Sequence, residues 1–183
     1  MDRHDVSAAT QRTSIEDARS QLAARLSARR PEIENALATR IDAISDTAEV
    51  ADPEYAEGLR MALQAVLGWA FAAVETGERH APLIPTILFS QARMAARASI
   101  GLDTVLRRYL AGYSLLNDFI FQEAEAGVPL EPRTLQRLFR SQAVLFDQLV
   151  ATVSEEYARE TRSRLSSTEH RDLLLIGACS LVS

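Results

Sequence analysis

The run from Gln91 to Phe121 constrains the fold of this chain more than any other stretch. Leu102, Val105, Leu106, Tyr109, Tyr113, Leu116 and Ile120 recur at steps of three and four, which puts them on one face of an α-helix. Gly101 stands just before this face and predicts a one-glycine corner between two helices. Gly112 lies within the helix, where it costs about 1 kcal/mol relative to alanine. A glycine kept there predicts the close approach of another backbone. The segment reads as the most buried element, with the others packed around it, and nothing in it is catalytic in type.

Composition supports a helical domain with a core of small and branched residues. The 183 residues are 47% hydrophobic but only 6% aromatic, with seven glycines and six prolines. That is enough apolar material for one core and little for turns. A net charge of −5 argues against non-specific nucleic-acid binding, which needs a basic surface. All 20 basic residues are arginine, which fits the codon usage of a GC-rich genome. The lone Cys179 cannot form an internal disulfide. No apolar core of a secretory signal occurs near the start, and no run is long enough to span a membrane. The expected location is the cytoplasm.

Taken in order, residues 1–13 are polar, lack a period and are expected to be disordered. Ser14 is placed to cap a helix whose apolar face carries Ile15, Ala18, Leu22 and Leu26. Pro31 should break or kink it near Arg30, with Ile33, Leu37, Ile41 and Ile44 continuing beyond. Asp52, Pro53 and Glu54 form a strong helix start, and Gly77 suits a left-handed cap at the other end. A helix over residues 83–99 presents Ile87, Leu88, Gln91, Met94 and Ala95 inward, and the glycine-led helix follows over 102–126. The turn from Gly127 to Pro132 starts the longest helix. There Leu135, Leu138, Gln142, Leu145 and Leu149 read as a heptad seam. Phe139, Phe146, Val150, Val153 and Tyr157 form a neighbouring stripe, so one set should face the core and the other a partner helix. From residue 158 the pattern thins to charged and hydroxyl residues around Leu165. Residues 158–183 therefore read as a connecting helix towards a further domain.

The chain carries no phosphate-binding glycine loop, nucleophile elbow or zinc motif. His4, His80 and His170 are far apart and none has a second ligand at helical spacing, so no metal is expected. Glu123 with Glu125, and Glu155 with Glu156, point to different helix faces and cannot share a substrate. No enzyme and no cofactor follow from these residues. Arg93 and Arg97, four apart, could clamp an anion or a partner; two surface arginines paired with carboxylates is the simpler account. The same account serves for Arg107 and Arg108, on the polar side of their helix. Tyr109 and Tyr113 share a face, as ligand contacts or as core. Trp69 lies off the main stripe of its helix, where it lines a pocket, meets a subunit or simply packs.

Arg93, Arg97, Gly101, Leu102, Tyr109 and Gly112, in the 91–113 run, resemble the signature of an all-helical domain at the front of PucR-type transcriptional regulators of actinobacteria. That domain is similar to the N-terminal domain of the RsbR/RsbD-type stressosome co-antagonists. The start at Asp52, Pro53, Glu54 and Tyr55, the proline-containing loop before residue 83 and the long last helix also match. The resemblance covers roughly residues 15–165. It implies an all-α, globin-like bundle of five or six helices without haem, pairing as a homodimer and signalling through its C-terminal helix.

On that basis residues 14–157 form a sensory and dimerisation domain. DNA would be reached only through a C-terminal domain beyond this chain. Arg93, Arg97, Tyr109, Tyr113 and Trp69 are the candidate contacts for a small effector or a regulatory protein. Leu138, Leu145, Leu149 and Leu165 are the candidate dimer and transmission positions. Two other readings remain open: a stand-alone partner of a kinase or anti-sigma factor, and a small-ligand carrier.

Overall fold

The computed structural model describes residues 3–44, 52–77, 82–127 and 131–179, with side chains described for 15–44, 52–77, 82–127 and 131–167. Six helices occur there and no strand: α1 (Arg3–Ala28), α2 (Arg30–Asp42), α3 (Pro53–Thr76), α4 (Thr86–Arg97), α5 (Leu102–Glu125) and α6 (Pro132–Cys179). The all-α bundle expected from the periodicity is what the chain forms.

Most boundaries sit where local chemistry puts them. Pro31 falls in the first turn of α2, after a break at Arg29. Asp52 accepts the Tyr55 amide at 3.0 Å and Pro53 takes the first position of α3. Gly77 closes α3 with φ at +70°, which a residue with a Cβ adopts only under strain. The start of α1 differs from expectation: it lies at Arg3, so residues 3–13 are helical and Ser14 falls within the helix, not at its start. Polarity without a period argues against burial, not against helix.

The α4–α5 corner also differs. Gly101 is ordinary extended backbone, φ −61° and ψ 140°, capping α5. The left-handed residue is Ser99, with φ at +59°. The Ile100 amide donates to Ala95 O at 3.0 Å and the Ser99 amide to Ala96 O at 3.3 Å, the paired bonds of a Schellman ending. Ile100, fully buried, pins the turn.

The element at the centre is α3, not α5. Eight apolar residues of α3 are buried, against four of α5, and α3 packs on α1, α2, α4 and α6. Alanines at 62, 70 and 73 let neighbours come close to it. Both apolar stripes of α6 are used inside the protomer. Leu138, Leu145, Leu149 and Val153 are all buried in the common core, so the expected split between a core face and a partner seam does not occur along them.

Ser99 is expected to be a correctable strain. Relief of its left-handed backbone in Ser99→Gly, less the added chain entropy, is worth about 0.5–1 kcal/mol. The thermal midpoint should rise by roughly 2–4 °C; an unchanged or lower midpoint by calorimetry would show the turn is not strained.

Candidate functional site

Five helices, α2 to α6, converge on a partly open apolar cavity of about 90 Å³. Leu37 and Ile41 come from α2, and Leu59, Leu63 and Trp69 from α3. Gln91 and Ala92 come from α4, Tyr109, Gly112 and Tyr113 from α5, and Gln142, Phe146 and Leu149 from α6. Tyr113 stacks on Phe146 with ring centroids 4.2 Å apart. Trp69 is buried and its indole nitrogen donates to Pro82 O at 2.8 Å. That bond satisfies the one polar atom of the ring and ties the loop before α4 to α3.

The polar rim of the cavity is organised by Arg108 and Tyr55. Arg108 is only 4% exposed; it is not on the polar side of α5. Its guanidinium donates to Ile44 O, from Nη2 at 2.7 Å and Nε at 3.1 Å, and to the Tyr55 hydroxyl at 3.1 Å. The Tyr55 carbonyl accepts from Gln91 Nε2 at 3.2 Å. Burial, and then the neighbouring Tyr55 phenol, push the Tyr109 hydroxyl far above its ordinary range, so it stays protonated and neutral. Two amide atoms in the cavity wall have no hydrogen-bond partner: Gln91 Oε1 and Gln142 Nε2. Both residues are 5% exposed.

Arg93 and Arg97 do not reach this cavity. Arg93 pairs with Glu156 at 2.8 Å and Arg97 with Glu160 at 2.7 Å, so α4 and α6 run side by side in the same direction. The carboxylate-pairing account of these two arginines is the one the structure supports. The Arg97 guanidinium holds the Glu160 carboxyl below the usual range. Arg164 adds a bond to Arg97 O at 3.0 Å, and the Tyr157 hydroxyl donates to Ile100 O at 2.8 Å. Of the candidate residues, Trp69, Tyr109 and Tyr113 are thus brought together in the cavity, while Arg93 and Arg97 bridge helices outside it. Leu138, Leu145 and Leu149 are core. Leu165 alone of the transmission positions is exposed, at 61%.

Glu123, noted in the sequence only as a neighbour of Glu125 on a different helix face, is a buried carboxylate. It accepts from Arg29 Nη1 and Arg25 Nε, each at 2.6 Å, and Arg29 also lies over the Phe119 ring. Gln142 could have been noticed: it is a polar residue at an apolar seam position between Leu138 and Leu145. Gly112 does not serve a close backbone approach, since a Cβ there would meet only Leu37 Cδ2, at 3.5 Å. The close approach is at Gly58, where a Cβ would collide with Gln91 Oε1.

Among the described residues no group of His, Cys, Asp and Glu could hold a metal ion, and no helix is long and apolar enough to cross a membrane. The side chains of His4, His80 and His170 lie outside the described residues. These features define an all-helical bundle closed around an apolar cavity, with one helix carried far beyond it. The model of the RsbT co-antagonist protein rsbRD N-terminal domain family matches residues 32–172, most of the chain, and the chain belongs to that family. No curated protein and no solved structure matches it. The match starts within α2, and α1, which precedes it, contributes Leu22 and Leu26 to the core.

The Glu123 cluster sets an acid limit. The Arg29 and then the Arg25 hydrogen bonds hold the Glu123 carboxyl below its ordinary value of 4.5. Its folded-state pKa is depressed, so its stabilisation is complete above that value and fades as pH falls through the depressed one. Glu123→Gln should therefore lower the melting temperature at neutral pH, with the gap to the native chain closing below about pH 4. A gap independent of pH would assign the loss to packing instead.

Proposed function

We propose that this chain is a non-catalytic, cytoplasmic sensory and dimerisation domain of a PucR-type transcriptional regulator. It would pass a signal along α6 to a DNA-binding domain. The observation that carries this is α6 itself. It is one helix of 48 residues, roughly 70 Å at 1.5 Å per residue. Its first half lines the cavity through Gln142, Phe146 and Leu149, and residues 161–167 are exposed throughout. The Glu156 and Glu160 bridges to α4 lie between. A change in the cavity that shifts α6 against α4 would displace the exposed end, the kind of two-state element that signalling requires.

The dimer seam belongs elsewhere than at Leu138, Leu145 and Leu149. Val144, Ala151, Ala158 and Leu165 fall at seven-residue steps along α6 and all four are exposed. Small apolar residues at heptad spacing suit a partner helix. Light scattering of the purified chain is expected to give a dimer. Ala158→Glu and Leu165→Asp, both at exposed positions, should give folded monomers. Dimers that survive both changes would sink this interface.

The family description favours a second reading, a stressosome-like partner that binds a kinase or anti-sigma factor in trans. The two part on one observation. The intact protein from its native cells, if a regulator, carries a helix-turn-helix and shifts DNA in a gel. Without either, the partner reading takes its place.

A further inference from the structure

Gly112 has no packing reason to be glycine. It weakens the middle of α5, yet the only atom that a Cβ would touch is Leu37 Cδ2, at an ordinary 3.5 Å. What Gly112 does keep clear is the cavity it lines. Gln142 is the second irregularity. Its Nε2 lies buried with no partner in the wall of the same cavity, where an unmet donor costs the fold stability. Gln91, a second lining residue, on α4, also has an unpartnered buried atom, Oε1, which lies against Gly58 of α3. A helix weakened to leave space, and polar atoms left unmet around that space, are what an absent ligand leaves behind.

We propose that the cavity binds a small uncharged molecule with an apolar body of about one ring and one hydrogen-bonding oxygen, which accepts from Gln142 Nε2. The volume sets one ring as the upper limit, since about 90 Å³, partly open, is less than the ~150 Å³ engineered cavity that takes benzene. The lack of charge follows from the walls. Among the described residues no carboxylate lines the cavity, so a cation finds no counter-ion there. The one guanidinium there, Arg108, is already bonded to Ile44 O and the Tyr55 hydroxyl, and an ion in an apolar site is costly. Because Gln142 is on α6, the ligand would grip the helix that leaves the bundle. The inference rests on the sensory reading for its consequence but not for its geometry.

The test is calorimetric titration of the full chain with three probes of similar shape: phenol, toluene and benzoate. Phenol is expected to bind once per chain and about tenfold or more tighter than toluene, with benzoate not binding. Gln142→Leu removes the unmet donor without opening a void and should reverse the preference, so that toluene binds better than phenol. Gly112→Leu should abolish binding of both, with the thermal midpoint unchanged or raised. Equal affinity for phenol and toluene, phenol binding untouched by Gln142→Leu, benzoate as the tightest probe, or no binding at all would each overturn the proposal. Hydrogen exchange over residues 161–167 separates the two readings. Phenol that binds as expected but leaves that exchange unchanged upholds the site and removes its sensory role. Absent phenol binding in a protein that still dimerises removes the site alone.

Discussion

Three helices of this bundle end against arginines from other helices, and the arrangement of the rest depends on it. The last carbonyls of a helix have no partner within it, and inside a bundle they cannot all turn to water. Arg19 of α1 donates to Val74 O near the end of α3. Arg108 of α5 donates to Ile44 O just past α2, and Arg164 of α6 to Arg97 O at the end of α4. Each bond brings a positive charge to the negative end of a helix. Each also fixes one helix relative to another at a defined level. The branched guanidinium can serve two acceptors at once, as Arg108 does with Ile44 O and the Tyr55 hydroxyl. The ammonium of lysine is a compact charge without that planar fork.

This scheme explains how the core holds a cavity without collapsing. The helices around it are pinned at their ends by charge-assisted bonds, so their middles need not touch everywhere. Gly77 shows the accommodation this requires, for a Cβ there would run into the Arg19 guanidinium. The Glu123 cluster does the same for the junction of α1 and α2 with α5. Besides the Arg164 bond, α4 and α6 are joined by two arginine–carboxylate pairs of a different kind. The side chains of Arg93 and Arg97 are 37% and 62% exposed, so those pairs are screened by solvent and individually weak.

Much of the fold was legible in the residues. Asp52, Pro53, Gly77 and Pro31 act through local chemistry alone, and each sits at the boundary its chemistry predicts. The corner after α4 was placed correctly but attributed to Gly101. The left-handed residue is Ser99, because the hydrogen bonds of the ending and the burial of Ile100 outweigh the strain on a serine. In the cavity, Trp69 was identifiable as lying off the main stripe of its helix, and Tyr109 and Tyr113 as two hydroxyl-bearing residues sharing one face. Gln142 carried a signal too, as the polar member of an apolar seam, but Arg108 did not, since an arginine beside another arginine looks the same in sequence whether it faces solvent or a neighbour's carbonyl.

By itself the sequence determined that this chain is all helix, where most of those helices begin and end, and that the last is the longest. These depend on interactions within a few residues, which a one-dimensional pattern records. Only the tertiary structure decided which helix is central and which leucines of α6 are core. It alone showed that Arg108 is buried and that five helices leave a space between them. Those outcomes depend on which side chains from distant segments compete for the same volume. Periodicity states that a face is buried, but it does not state against what.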